Sequence, residues 1–231
     1  MTASAAEWAI IALSMKVGLV AVLGALPVAL GLAWILARTN FRGKLLLDAL
    51  VHLPLVIPPV VTGWLLLLLF GRQGPVGRLL EQWFGVTLMF RWTGAALAAA
   101  IMALPLMVRA LRLSLESVDV RLEQAARTLG ASPWRTFLTV TLPLSLPGFL
   151  AAATLGFARS IGEFGATITF VSNVPGQTQT IPLAIYSALQ VPGGKAIVTR
   201  LAIISVILSI GALLLSEIIS RRMGNGGRHV L

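Results

Sequence analysis

The chain has 231 residues, of which 57% are hydrophobic and only 11% charged. Soluble domains carry roughly 25% charged residues, so this composition excludes a water-soluble globule and describes an integral membrane protein. The net charge of +10 sits mostly on arginines beside apolar stretches, a pattern of membrane orientation rather than of nucleic-acid binding. Cysteine is absent, which removes disulfides, thiol nucleophiles and Cys-ligated zinc. Two histidines, His52 and His229, make a His-ligated metal site an unpromising expectation, and no catalytic residue is assigned.

A bilayer crossing needs about 20 mostly apolar residues. Five segments qualify in chain order: Ile10–Ala37, Ala49–Phe70, Trp92–Val108, Leu138–Ala158 and Leu201–Ser220. The first is too long for a cleavable signal's apolar region and reads as a span. The second contains Pro54, Pro58 and Pro59, which remove backbone donors and clash with the preceding turn, so this helix is predicted to break or bend. Non-helical backbone at that depth is tolerated inside protein or beside a watery cavity, so the bend is either packed or borders a pathway. Ile181–Gln190 is too short to cross, and the polar PGQTQT before it argues for a loop. The expected fold is all-α and polytopic, a single transmembrane domain over residues 1–231.

Lysine and arginine in the connections set orientation. One side would hold Arg38, Arg42, Lys44, Arg109, Arg112, Arg121, Arg127, Arg135, Arg221, Arg222 and Arg228, the other Arg72, Arg78, Arg91, Lys195 and Arg200. That asymmetry predicts an outside N-terminus and a cytoplasmic C-terminus, with Lys16 and Arg159 inside spans. It also places EQAARTLGASPWRTFLTVTLP, Glu123 to Pro143, in the cytoplasm. There Leu122, Ala125, Ala126 and Leu129 share one small helical face. Gly130 is placed to end that helix in a left-handed cap, and Ser132-Pro133 to start a second one leading into the fourth span. Periodicity alone leaves two readings open, a lever moved by a cytoplasmic partner or a helix lying flat on lipid.

The segment resembles the EAA motif of ABC-importer permeases: Gln124-Ala125-Ala126, then Gly130, then Val140, Thr141 and Leu142-Pro143, with every spacing matched. The departure is Gln124 where the pattern has Glu, although Glu123 stands beside it. HLPLVIPPVVTGWLLLLLFGRQGPVG (52–77) and FARSIGEFGATITFVSNVPGQTQTIPLAIY (157–186) resemble the permease subunits of molybdate ABC transporters. The related sulfate permeases share the core from Ala158 to Gly165. The resemblance implies the type I importer fold, with a cytoplasmic coupling segment at about 116–142. Glu123, Gln124, Ala125, Ala126, Arg127, Gly130, Leu142 and Pro143 would meet an ATPase. It also implies molybdate as substrate, with tungstate beside it, moving from periplasm to cytoplasm across the bacterial inner membrane. The implied partners are a second copy of the chain, two ATPase subunits carrying ATP and Mg, and a periplasmic molybdate-binding protein. The chain itself would bind no cofactor, since it lacks a phosphate-binding G-x-x-x-x-G-K-[ST] loop.

Candidate pathway or gate residues are Pro58, Pro59, Thr62, Arg159, Glu163, Thr167 and Thr169. Arg159 and Glu163 stand i, i+4, so an ion pair on one helix face is expected, with Gly162 and Gly165 allowing a bend. Thr167, Thr169 and Ser172 read either as hydroxyl donors to a passing oxyanion or as the ordinary exposed hydroxyls of a helix end. An intramembrane protease lacks a base beside a nucleophile. A passive channel or ion-coupled carrier would need no ATPase dock.

Overall fold

The computed structural model describes residues 4–225, and among them all regular structure is helical. Arg228 and His229 lie outside the described residues, and the side chains of Arg221 and Arg222 are not described.

The first span is α1 (Ala5–Arg38). Ser4 caps it by accepting from the Glu7 N–H at 3.3 Å, while Glu7 Oε2 accepts from the Ser4 N–H at 2.8 Å. Pro27 lies inside the helix. The second span is two helices, α2 (Lys44–Val56) and α3 (Pro59–Phe70), bent by 113° at the break. The expected break therefore falls at Ile57-Pro58, where Pro59 starts a new helix at its first turn. Next come α4 (Pro75–Phe84) and α5 (Trp92–Ser117). The short α6 (Val120–Thr128) and α7 (Pro133–Thr136) follow. A π-helical turn at Phe137–Thr141 then leads into α8 (Leu142–Ile161). The chain closes with α9 (Gly165–Val171), α10 (Ile181–Leu189) and α11 (Lys195–Asn225).

Four helical stretches are long and apolar enough to cross, and the bent α2–α3 pair makes a fifth. Core composition places the two halves of the pair at opposite ends of α1 and α5. One cluster joins Leu36 of α1, Val51 of α2 and Leu111 and Leu115 of α5. The other joins Val17 and Ala21 of α1, Leu66 of α3 and Ala95 and Ala99 of α5. So α1 and α5 run the same way, while α2 and α3 occupy opposite ends of them. Several ends differ from the apolar segments: α5 continues past Val108 to Ser117 through Arg109, Arg112 and Glu116, α11 begins at Lys195 rather than Leu201, and α8 begins at Leu142, after the π-helical turn. Ile181–Leu189, read as loop, is a helix. Pro182 sits in its first turn, where a missing N–H costs nothing, and Ile181 and Ala184 bury against Ile11 and Leu201.

Small residues hold the bundle together, as expected where lipid removes the hydrophobic drive between helices. Ala25, Ala29 and Ala33 of α1 and Ala103 of α5 are buried in the same cluster as Ala152 of α8. A methyl group on Gly156 of α8 would stand 2.7 Å from Met107 Sδ of α5, and one on Gly18 of α1 would stand 3.1 Å from the Phe157 ring of α8. The Ser114 hydroxyl donates to the Ser145 carbonyl at 3.1 Å, tying α5 to α8.

Candidate functional site

Two places concentrate the candidate residues, one at each end of the bundle. At the end where α1 and α5 finish, the chain leaves α5 and forms α6. Asp119 caps it, accepting from the Arg121 N–H at 2.9 Å. Gly130 adopts φ +88°, the left-handed conformation in which a side chain is strained. The Ala131 N–H returns to the Ala126 carbonyl at 3.0 Å. Ser132 then accepts from the Arg135 N–H at 3.3 Å and Pro133 begins α7, so the helix-turn-helix forms as its residues predict.

The outer face of α6 has no cover: Leu122 is 50% exposed and Leu129 89%. Gln124, Ala125 and Arg127 are exposed as well, and Ala126 is half-buried. Glu123 differs from its neighbours. It turns inward, where Oε1 meets Arg38 Nη2 at 2.7 Å and accepts from the Thr141 hydroxyl at 2.8 Å. This placement makes it an anchor between α6, α1 and the turn before α8. The Arg38–Glu123–Thr141 clasp binds the end of α1, α6 and the turn before α8, so Leu142 and Pro143 begin α8 one residue beyond an anchored position. Nothing in the spacing of Arg38 and Glu123 announced this pair, which is separated by 85 residues. A glutamate beside the motif's glutamine was the available signal.

At the opposite end α8 stops at Ile161, and Glu163 folds back. Its Oε2 meets Arg159 Nη1 at 2.6 Å, and its Oε1 accepts the Ala166 N–H at 2.8 Å. One carboxylate thus neutralises the arginine and caps the start of α9. The close approach of α9 to α3 depends on glycine. A methyl group on Gly63 would stand 2.6 Å from the Ala166 carbonyl oxygen, and one on Gly165 would stand 2.8 Å from Pro59 Cβ. This brings Pro59, Thr62, Glu163, Thr167 and Thr169 into a single α3–α9 layer, with Pro58 exposed at its edge. Thr62 Oγ1 is buried without a partner. The expectation of exposed threonines is corrected: Thr167 is buried and the Thr169 hydroxyl donates to the Gly165 carbonyl at 2.9 Å, because both lie on a helix packed against α3 and α5. Ser172 is exposed, with φ +60°.

Further polar contacts were not foreseen. Arg200 grips Glu7 Oε1 through Nη2 at 2.6 Å and Nε at 3.0 Å. The Ser14 hydroxyl accepts the Ile181 N–H at 2.8 Å. Lys16 Nζ sits 3.7 Å above the Trp92 ring, a cation–π contact that accounts for a lysine within a span. Arg112 joins Asp48 of α2 at 3.3 Å to Glu116 at 2.8 Å, holding the first half of the broken span against α5.

A multi-crossing helical body with a bent helix pair, a glycine-packed α3–α9 layer at one end and an uncovered helix at the other fits a membrane transport subunit. The chain belongs to the family described as binding-protein-dependent transport system inner membrane component, whose model matches residues 27–225. Over 215 residues it is 59% identical to the molybdenum transport system permease protein ModB of Escherichia coli (strain K12), covering 93% of this chain and 94% of that one. To the sulfate transport system permease protein CysT of the same strain it is 40% identical over 190 residues, covering 81% of this chain and 66% of the other. The fold matches a chain of the MetNI methionine ABC transporter in inward-facing form, with a TM-score of 0.70 at 19% identity over 94% of each chain.

Proposed function

We propose that this chain is one half of a homodimeric pore that imports molybdate, and tungstate beside it, into the cytoplasm. Two ATP-hydrolysing subunits, carrying ATP and Mg, drive it from the α6 end, and a soluble binding protein delivers the anion at the α9 end. The chain acts as one membrane domain, N-terminus out and C-terminus in, an orientation supported by the excess of lysine and arginine in the connections at the α6 end. A single docking helix per chain and two motor subunits call for a two-fold pair.

The observation that carries the reading is the uncovered face of α6, with Leu129 at 89% exposure beside a left-handed Gly130. Such a face is ready for a partner's groove. Closure of the motor would draw the two α6 helices together, and the Arg38–Glu123–Thr141 clasp would pass that displacement to α1 and α8. At the far end the α3–α9 layers of the two copies would part from each other, each moving as one body. Glu163 leaves no free positive charge on Arg159, so the anion meets a weakly attractive passage and selectivity rests with the binding protein.

The choice of anion is supported by 59% identity to the molybdenum permease against 40% to the sulfate permease. It is tested by uptake of labelled molybdate in cells lacking their own transporter, with the partner subunits supplied. Tungstate should compete strongly and sulfate weakly. The reverse ranking would overturn the substrate assignment, and uptake without any ATPase subunit would overturn the class.

A further inference from the structure

The stretch GRQGPVG, residues 71–77, belongs to neither the α6 dock nor the α3–α9 layer, yet its glycines are placed to do one thing. A methyl group on Gly77 would collide with the backbone carbonyls of Phe70 and Gly71, and one on Gly74 with those of Leu68 and Leu69. These glycines let α4 seat its backbone directly on the last turn of α3. The helix then ends cleanly: Gly85 is left-handed at φ +63°, and the Val86 N–H returns to the Leu80 carbonyl at 3.2 Å.

This seating fixes which way α4 faces. Gly77 is buried and Val76 and Leu80 are half-buried, whereas Leu79 is 53%, Trp83 76% and Phe84 71% exposed. Leu79 and Trp83, one turn apart, share a face; Arg78 and Gln82 share the adjoining one, and both are exposed. Arg72 and Arg91 flank the helix and are exposed too, Arg72 pairing with Glu81 at 2.9 Å. The chain arrives from one crossing, α3, and leaves by another, α5, so α4 lies at the membrane boundary. A tryptophan, a phenylalanine and a leucine beside arginines at that depth match what a headgroup layer accepts.

We infer that α4 is an interfacial anchor. Leu79, Trp83 and Phe84 enter the headgroup–acyl boundary of the outer leaflet, and Arg78 and Arg91 meet phospholipid phosphates. Because the helix is seated on α3, this lipid contact holds the α3 half of the α3–α9 layer at a set depth. The occupant of the apolar face is phospholipid, and the delivering binding protein docks elsewhere.

The chain has no cysteine, so single-cysteine variants at Leu79, Trp83, Arg78 and Gln82 carry one labelling site each, and the chain is labelled with nitroxide before the ATPase is added. The permease–ATPase complex is reconstituted in vesicles of phosphatidylcholine with phosphatidylglycerol, and collision rates with oxygen and with a water-soluble nickel chelate are measured. Labels at Leu79 and Trp83 should favour oxygen, reading about 5–10 Å below the headgroups, and labels at Arg78 and Gln82 should favour nickel. The inference is overturned if all four labels favour nickel. It is equally overturned if Leu79 and Trp83 become shielded only after binding protein is added. Replacing Arg78 and Arg91 by serine in a Trp83-labelled chain should move the label outward in anionic vesicles; an unmoved label would remove the phosphate contacts from the account.

Discussion

The Arg38–Glu123–Thr141 clasp and the α3–α9 layer, at opposite ends of the bundle, are tied in different styles. At the α6 end a single carboxylate, Glu123, satisfies Arg38 and Thr141, and three segments depend on those side-chain contacts. At the other end Glu7–Arg200 and Ser14–Ile181 join α1 to α10 and α11, while α3 and α9 are held by backbone proximity at Gly63 and Gly165. Side-chain clasps can pass a displacement between elements without fusing them. Glycine-mediated contact makes two helices one body, so α3 and α9 should move together while α6 pivots on its anchor.

The largest effect in breaking this contrast should come from Glu123→Ala, which leaves the part-buried Arg38 without its counter-charge. Loss of one partner costs about 3–5 kcal/mol in a fully buried pair and less in this one. The purified complex should melt earlier and its ATP turnover should no longer track transport. Restoring both by exchanging the charges, Arg38→Glu with Glu123→Arg, would locate the effect in the pair; failure of Glu123→Ala to alter either would dissolve the clasp's role.

Gly63→Val should rank next. Its side chain meets the Ala166 carbonyl and Thr169, and overpacking of this kind costs about 1–3 kcal/mol. Uptake should fall by at least as much as stability, because the α3–α9 layer separates. A variant with full uptake and an unchanged melt would show that the close approach is dispensable.

Gly130→Val acts more locally. A β-branched residue in the left-handed region costs about 1–2 kcal/mol, and here nothing surrounds the site. The spans should keep their melting temperature while ATPase copurification declines. Equal retention of the ATPase would argue that α6 is not the dock. The smallest effect belongs to Glu7→Gln. Arg200 is 27% exposed at its side chain, and water can replace part of the lost interaction, so only a small change is expected. Thermal unfolding in detergent would measure it, and a loss as large as that of Glu123→Ala would erase the distinction between the two ends.

Much of the architecture was legible in the chain. Apolar length alone located the crossings, the three prolines located the break at Ile57-Pro58, and Gly130-Ala-Ser-Pro133 spelled the turn between α6 and α7. These are local signals, set by backbone chemistry and by the cost of polar groups in lipid, and they act within a few residues. The i, i+4 spacing of Arg159 and Glu163 made their pair readable for the same reason. The helix at Ile181–Leu189 was missed because its apolar run is short and its stabilising partners, Ile11 and Leu201, lie far away in the chain.

Only the tertiary structure decided where Glu123 points. Its neighbours Gln124 and Ala125 face outward, and no periodicity distinguishes an anchor from a contact when the deciding charge stands 85 residues earlier. The burial of Thr167, the seating of α4 on α3 and the grip of Arg200 on Glu7 have the same origin. Each depends on which helices lie side by side, and in a bundle of similar apolar helices that choice is made by small residues whose fit appears only once the backbones meet.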